Sequence, residues 1–452
     1  MKLKFIALLS LFSFCAAAET VGYRAEIVYF KADPAKDKEA AVHYKDGYLI
    51  VKDGYILKSG DYATLKDQPV DSLIDYSGKI ITPGFVDTHV HYPQITMISE
   101  YGEQLIGWLN TYTFPTEIKY SNHPYASQEA SVFLDQLVKN GTTTALVFAT
   151  SSPVSVDAFF EQALKRNMRM ISGKVLMDRN APAELLDTPQ SAYGESKALI
   201  EKWQHKGRLD YAVTPRFAPT STDDELTIAG KLLKEFPDVY LHTHLAENNQ
   251  EVAWVKELFP DSRSYLDVYD KNGLVTKKSI FAHSIHLDNT DYKVMSEKGA
   301  NIAFCPTSNL FLGSGLFNLD KAHQYNIPVG LGTDVGAGTS LSLLQTMDEA
   351  YKVTQMRKAF TDKPDAVHSL TPMENLYLAT LGGATVLSLQ DKIGSFTAGK
   401  EADFVVLDPQ AGQVLAGRNK EAKSIEELLF GIEMLGDDRT VTHTYVMGTK
   451  MK

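Results

Sequence analysis

Cysteine is nearly absent from this chain of 452 residues, which contains only Cys15 and Cys305. Two cysteines cannot form a disulfide framework, and they are too few for a zinc-finger type of site. Any transition-metal ion would therefore be bound mainly through histidine and carboxylate side chains.

Positively charged residues are also fewer than negatively charged ones. The chain has 45 lysine and arginine residues against 56 aspartate and glutamate residues, so its formal net charge is −11. This balance disfavours a nucleic-acid polymer or an anionic membrane surface as a partner, because both attract positively charged proteins. It leaves a single small base possible as a substrate. The length of the chain allows one large domain and a smaller satellite.

Long hydrophobic runs are missing after the first eighteen residues. Lys2 and Lys4 precede an apolar run at residues 5–15, and three alanines follow at residues 16–18. This order is typical of a cleaved export signal, and the run is too short to span a bilayer. We therefore predict that residues 1–18 are a signal peptide and that the mature protein is periplasmic or secreted, with no membrane partner.

Both ends of the remaining chain are rich in short β-type runs. The runs at residues 48–51 and 55–57 are separated by an Asp-Gly pair, which is typical of a hairpin turn. A similar run returns at residues 402–407. We therefore predict a small β-sandwich domain assembled from both ends of the chain, residues 19–82 and 389–452.

The middle of the chain, residues 83–388, alternates short apolar β-type runs with helical stretches. This pattern is typical of βα units around a parallel sheet, and eight such units predict an α/β fold of the (β/α)8 TIM-type barrel class. The eight predicted strands lie near residues 84–91, 143–148, 170–176, 211–215, 239–245, 279–284, 301–305 and 328–332.

Histidine and aspartate residues stand at the ends of several predicted barrel strands, where such barrels carry their chemistry. His89 and His91 alternate along the first strand and so project from one face. His244 ends the fifth strand, and Asp334 follows the eighth. Three imidazoles and one carboxylate suit a single divalent ion with a position left for water. We predict that these four residues bind one Zn²⁺ ion, with Fe²⁺ as the alternative.

Two further polar residues follow strand ends. A bound ion lowers the pKa of its water towards neutrality, so the groups around that water matter. His283, at the end of the sixth strand, is placed to orient the water. Glu247, three residues beyond His244, is placed to carry a proton to a leaving nitrogen. Glu247, His283 and Asp334 are the predicted catalytic residues.

Longer segments carry a family resemblance. Among them are PGFVDTHVHYPQ, WLNTYTFPTE, VTPRFAPTS, THLAEN and LGTDVGAGTS. The chain resembles the amidohydrolase superfamily, and within it the guanine deaminases, over nearly its whole length after residue 18. The resemblance implies zinc-dependent hydrolysis of guanine to xanthine and ammonia in purine catabolism. It also implies a homodimer and a cytoplasmic location, and the second of these conflicts with the predicted export.

The same resemblance implies which side chains contact the substrate. Arg216 matches the residue that binds the purine carbonyl, Phe217 lines the base, and Gln94 matches an amide that binds a purine edge. A guanidinium and a carboxamide complement the carbonyl oxygen and ring nitrogens of guanine, and an aromatic face suits a flat heterocycle. The substrate-binding residues implied in this way are His91, Gln94, Arg216, Phe217, His244 and Glu247.

Other functions remain open at this point. Predicted strands four and five contain no lysine, which disfavours the binuclear relatives that bridge two ions with a carboxylated lysine. A related amidohydrolase acting on another amino- or chloro-substituted purine, pteridine or triazine ring would share the metal-binding set. Gln94 and the pair Arg216 and Phe217 would distinguish these enzymes. A non-catalytic barrel is disfavoured, because the predicted metal-binding and catalytic residues are all present.

Overall fold

The structure, a computed structural model, describes residues 19–102 and 104–452. The predicted signal peptide, residues 1–18, lies outside the described residues. None of the helices in the two described ranges has the length and apolar character that a bilayer crossing requires.

β-Strands form both ends and the middle of the described chain. The strands of the middle are short and almost entirely buried, as expected for a parallel sheet covered on both faces. In chain order the strands are β1 (Thr20–Phe30), β2 (Ala41–Lys52), β3 (Tyr55–Asp61), β4 (Ser72–Pro83), β5 (Phe85–His91), β6 (Thr142–Phe148), β7 (Arg169–Gly173), β8 (Val175–Leu176), β9 (Leu209–Pro215), β10 (Tyr240–Leu245), β11 (Ser279–His283), β12 (Asn301–Phe304), β13 (Val329–Leu331), β14 (Phe404–Leu407), β15 (Val441–Val446) and β16 (Thr449–Lys450).

Helices follow the central strands, and local sequence explains where many of them begin. Asn122, Thr188 and Thr222 each precede a helix and accept a hydrogen bond from one of its first amides. The α-helices are α1 (Tyr62–Leu65), α2 (Leu105–Trp108), α3 (Phe114–Glu117), α4 (His123–Lys139), α5 (Pro153–Lys165), α6 (Pro189–Trp203), α7 (Asp223–Glu235), α8 (Asn249–Leu258), α9 (Tyr265–Lys271), α10 (Asn289–Lys298), α11 (Pro306–Phe311), α12 (Leu319–Gln324), α13 (Leu343–Ala359), α14 (Pro372–Tyr377), α15 (Gly383–Val386), α16 (Gln413–Asn419) and α17 (Ile425–Leu435).

The central strands form one parallel wall in the order β5-β6-β7-β9-β10-β11-β12-β13, with β8 paired to β9. Backbone hydrogen bonds join the segment after β13 to β5. His91 N donates to Val335 O at 2.8 Å, and Asp334 N donates to His89 O at 2.9 Å. The predicted (β/α)8 barrel is therefore confirmed, and its closure brings the first and last strands together.

The third predicted strand, residues 170–176, is divided in the structure into β7 and β8. A Cβ atom at Gly173 would lie 1.7 Å from the carbonyl oxygen of Ala212, so the backbones approach closely there. The next residue, Lys174, is buried and forms an ion pair with Asp187. Reaching that partner takes Lys174 out of the regular strand.

The two ends of the chain form a second sheet in the order β16-β15-β14-β4-β1-β2-β3. Tyr23 and Phe404 come from opposite ends of the chain, and their ring centroids lie 4.9 Å apart in the core of this sheet. The edge strand β3 also returns towards β14, because Ile56 N donates to Lys400 O at 2.8 Å. The predicted small β domain is confirmed as one connected sheet that folds over on itself. We propose residues 82 and 389 as its limits with the barrel.

The second sheet is attached directly to the first barrel strand. Only Gly84 separates β4 from β5, and a Cβ atom there would lie 2.2 Å from Thr143 Oγ1 on β6. Arg208, just before β9, pairs with Glu401 and with Asp403 at the beginning of β14. The second sheet is therefore attached to the barrel in two places: at β5 through the chain itself, and near β9 through the ion pairs of Arg208.

Candidate active site

Four side-chain tips converge at the C-terminal mouth of the barrel. They belong to His89 and His91 of β5, His244 of β10 and Asp334, which follows β13. The Nε2 atoms of His91 and His244 are 3.3 Å apart, and Asp334 Oδ1 lies 3.1 Å from His89 Nε2. All four ligand atoms lie within 4.8 Å of one another. The structure thus brings together the four residues predicted to bind metal.

The spacing and protonation of these groups fit one divalent ion. Two nitrogen ligands bound to the same tetrahedral zinc ion lie about 3.3 Å from each other. The distances between the side-chain tips of this cluster are close to that value. Burial lowers the pKa of His91 to about 4 and that of His244 well below its usual value. Both rings are therefore neutral and can direct a lone pair to a cation. A shared cation would satisfy imidazole nitrogens that otherwise face one another.

Contacts behind the ligands orient the rings. His244 Nδ1 donates to the carbonyl oxygen of Arg216 at 2.6 Å, and His89 Nδ1 lies 2.7 Å from His242 Nε2. With the proton on Nδ1, each ring directs its Nε2 lone pair into the cluster. Phe148 of β6 stacks on His91 with a centroid distance of 4.5 Å. The rings are thus held in position before any ligand arrives.

The backbone turns sharply at two positions of the site. His283 has a φ of 68° and Asp334 a φ of 50°, a left-handed region that residues other than glycine seldom adopt. Such a conformation costs on the order of 1–3 kcal/mol and is concentrated at functional sites. The turn directs both side chains towards the mouth rather than along the strands.

Glu247 lies beside the cluster, two residues beyond β10. Its Oε2 atom is 3.4 Å from His283 Nε2, and its Oε1 atom accepts a hydrogen bond from Ser314 Oγ at 2.9 Å. Burial, together with the carboxylates of Asp334 and Glu251, raises the pKa of Glu247 well above its usual range. Burial therefore favours the protonated form of this carboxyl group, which suits it to donate a proton.

His283 lies next to Glu247, beside the cluster. Burial lowers its pKa to about 3, so the ring is neutral. Asn309 Nδ2 donates to His283 Nδ1 at 2.8 Å, which places the ring proton on Nε2. That Nε2 atom is 3.8 Å from Asp334 Oδ2. The proton of His283 is thus directed at the space between Asp334 and Glu247.

A cavity opens over the cluster. The predicted substrate residues Gln94, Arg216 and Phe217 line it, and so do the metal-cluster residues His91 and Asp334. The cavity is therefore polar at its base and on one wall, with apolar side chains around the rest. The complete lining is His91, Gln94, Leu105, Trp108, Leu109, Arg216, Phe217, His244, Glu247, Glu251, Leu312, Asp334 and Ala337.

Several site residues were not identified from the sequence. Glu117 is buried and pairs with Arg216 at 2.8 Å. Phe148, Asn309 and Ser314 contact His91, His283 and Glu247 respectively. Glu117 is the last residue of WLNTYTFPTE, a segment that carries the family resemblance, and this was the available signal for it.

Comparisons with known proteins agree with this geometry. Residues 80–451 match the amidohydrolase family. Guanine deaminase of Escherichia coli (strain K12) is 53% identical over 391 residues, which cover 86% of this chain and 87% of that protein. The crystal structure of guanine deaminase from Bradyrhizobium japonicum has a TM-score of 0.92 at 40% identity, covering 96% of this chain and 99% of that one.

A third relative was solved with a ligand. Guanine deaminase from C. acetobutylicum, with guanine bound in its active site, has a TM-score of 0.87 at 30% identity and covers 96% of this chain and 100% of that one. These matches extend over both the barrel and the sheet built from the chain ends. The chain therefore belongs to the amidohydrolase family and, within it, to the guanine deaminases.

Proposed function

We propose that this protein catalyses the hydrolytic deamination of guanine to xanthine and ammonia. The observation that carries the proposal is the placement of Arg216, Gln94 and Phe217 around one cavity, directly over the cluster of three histidines and Asp334. The E. coli relative named for this activity supports it at 53% identity.

The cofactor that we propose is one Zn²⁺ ion, with Fe²⁺ as the alternative, because both suit nitrogen and oxygen ligands. His89, His91, His244 and Asp334 would hold it. When bound, the ion would act as a Lewis acid that lowers the pKa of water.

The base is held by side chains of the cavity wall. The guanidinium of Arg216 donates to the purine carbonyl oxygen, the carboxamide of Gln94 binds the ring edge, and Phe217 packs against the ring face. His91 and His244 lie at the base of the same cavity. This arrangement presents C2 and its amino group to the catalytic residues.

In this proposal, Glu247 transfers the protons. Water oxygen bonds to C2, and the bond from C2 to the amino nitrogen breaks. In net terms, one water proton ends on N3 of the ring and the other on the departing amine, so the products are xanthine and ammonia. Glu247 carries both protons, while His283 and Asp334 orient the attacking water. Burial favours the protonated form of Glu247, so Glu247 donates its own proton to N3 first and then regains one from the attacking water.

Ammonia release across a panel of purines, pteridines and triazines tests this proposal. We expect guanine to be the preferred substrate and xanthine to be the product. A protein that hydrolyses a triazine or another purine but not guanine would instead support the related-amidohydrolase alternative. A zinc-loaded preparation that hydrolyses no member of the panel would contradict both.

Two further proposals concern the molecule in its cell. We propose that the active form is a homodimer, which sedimentation analysis of the purified protein would test.

We also propose that the segment 1–18 is removed on export, against the cytoplasmic alternative. N-terminal sequencing of the mature protein would test this, and a retained Met1 would contradict it.

A further inference from the structure

Behind the cavity wall, Glu117 holds the two polar side chains that are proposed to bind the base. Gln94 Nε2 donates to Glu117 Oε1 at 3.0 Å. Arg216 Nη1 donates to Glu117 Oε1 at 3.0 Å and to Oε2 at 2.8 Å. Glu117 is 1% exposed and Arg216 2%. Because the contacts are buried and charged, they are stronger than the same contacts on the surface.

The local sequence places this carboxylate. Phe114 and Glu117 are three residues apart on α3 and so share a face. The Phe114 ring lies 5.3 Å from the guanidinium carbon of Arg216. On the other side, Gly336 N donates to Gln94 Oε1 at 3.0 Å, which fixes the amide with its nitrogen towards Glu117. The remaining donors of Arg216 and Gln94 are left for a ligand.

The pairing also removes the net charge from this wall. The guanidinium of Arg216 is always protonated, and Glu117 contacts it with both carboxylate oxygens. An unpaired guanidinium in a buried site would bind an anion more strongly than a neutral carbonyl. With Glu117 in place, the wall offers directed hydrogen bonds without an excess of positive charge.

We propose that Glu117 is a positioning residue that aligns Arg216 with Gln94 and neutralises Arg216, so that the cavity selects a neutral lactam-bearing ring over its anion. This inference rests on the proposed function and deepens it.

The test compares the affinities of the protein for two ligands that have nearly the same shape but a different charge. Xanthine is largely neutral near neutral pH, whereas 8-azaxanthine is an anion there. Titration calorimetry gives the affinity of the metal-loaded protein for each, and guanine turnover is measured separately.

Glu117→Gln removes the charge but keeps the size of the side chain. Glu117→Asp keeps the charge and shortens the side chain. Glu433→Gln is the control, since Glu433 is also buried but accepts a hydrogen bond from Asn375 and does not line the cavity.

We expect Glu117→Gln to shift the ratio of the two affinities towards 8-azaxanthine by on the order of tenfold, because a buried positive charge is left without its partner. Glu117→Asp should keep the wild-type ratio while KM for guanine rises, and Glu433→Gln should match the wild type in both. An unchanged ratio in Glu117→Gln would overturn the inference and leave Glu117 a structural role.

The wild type supplies a check that needs no variant. Wild-type protein that binds 8-azaxanthine as tightly as xanthine would overturn the inference even if Glu117→Gln failed to fold. Wild-type protein that releases no ammonia from guanine would instead contradict the proposed function, and this result is obtained before any variant is compared.

Discussion

At the scale of single residues, two of the three histidines of the cluster are oriented by acceptors without formal charge. The partner of His244 is a backbone carbonyl, and the partner of His89 is His242. Burial, together with His89 and His91, lowers the pKa of His242 well below its usual value, so this ring is neutral. A neutral acceptor raises the basicity of a ligand less than a carboxylate does, which leaves a bound ion more electrophilic.

The variant His242→Ala tests this contact. Loss of the acceptor removes the group that fixes His89, so we expect the affinity for Zn²⁺ to fall by about 10- to 100-fold. Competition with a chromophoric chelator measures the change. The exposed His123→Ala serves as the control. Unchanged zinc affinity in His242→Ala would show that His89 is oriented by other contacts.

Arg216→Met separates substrate binding from metal binding. We expect most guanine turnover to be lost while bound metal is kept, because the ligands are untouched. The variant leaves Glu117 as a buried, unpaired carboxylate, so the free energy of unfolding should fall by about 3–5 kcal/mol. Urea unfolding, metal analysis and ammonia release measure the three effects. The double variant Arg216→Met/Glu117→Gln should recover stability without turnover, and recovered turnover would contradict the proposed role of Arg216.

These residue roles differ in how far the sequence predicts them. His89, His91 and His244 could be predicted, because strand periodicity decides which way they point. The direction of Glu117 depends on how a four-residue helix packs against Arg216, and no periodicity encodes that. His242 shares a face with His244 in sequence, yet its contact with His89 depends on the curvature of the closed barrel.

At the scale of elements, the first turn of α7 carries a buried carboxylate. Thr222 caps this helix by accepting a hydrogen bond from Glu225 N at 3.3 Å. A helix N-terminus favours a negative charge. Burial nevertheless dominates and, with the nearby Asp178, raises the pKa of Glu225 from 4.5 to about 8. The fold therefore favours the protonated form of Glu225.

This shift predicts how stability depends on pH. Because the folded state holds the proton more tightly, the contribution of Glu225 is fully present below pH 4.5 and is lost as pH rises through about 8. We expect Glu225→Gln to match the wild type in acid and to exceed it in alkali by roughly 3–5 kcal/mol. Urea unfolding across this range measures the difference. Parallel stability curves for the two proteins would contradict the prediction.

The barrel strands were predictable as elements because each is a short apolar run ended by polar residues. Their central parts agree with the structure, whereas the break at Lys174 does not follow from local pattern. It depends on Asp187, which arrives from a later segment. The sheet at the chain ends was predictable in composition, but its order, with β4 between β1 and β14, is a tertiary property.

At the scale of the whole molecule, a buried ion network joins the barrel to the second sheet. Arg169 of β7 and Arg208 both contact Glu401, and Arg208 also contacts Asp403. All four side chains are at least nine-tenths buried. Removing one partner from such a network is destabilising, because the remaining buried charges are then neither paired nor hydrated.

The variant Arg208→Met tests the network. We expect the free energy of unfolding to fall by about 3–5 kcal/mol, while kcat of the folded protein stays near that of the wild type. Lys293→Ala is the control, because the Lys293–Glu297 pair has side chains that are 67% and 63% exposed. That pair should contribute less than about 1 kcal/mol. Equal effects of the two variants in urea unfolding would contradict the prediction.

Removing the metal should affect the molecule as a whole. The proposed ligands come from β5, β10 and the segment after β13, so an ion links distant parts of the chain. An ion that binds only the folded state raises stability. We expect chelation to lower Tm and abolish turnover, and added Zn²⁺ to restore both. A chelated protein with unchanged Tm would contradict the assignment of the ligands.

The sheet shared by the two chain ends has a consequence for synthesis. The strands β14, β15 and β16 leave the ribosome after every barrel strand, yet β14 pairs with β4, which leads directly into β5. A nascent chain that stalls before β14 already contains every proposed catalytic side chain. It still lacks the strand that pairs with β4, so the enzyme can mature only after the segment that follows the barrel has been synthesised.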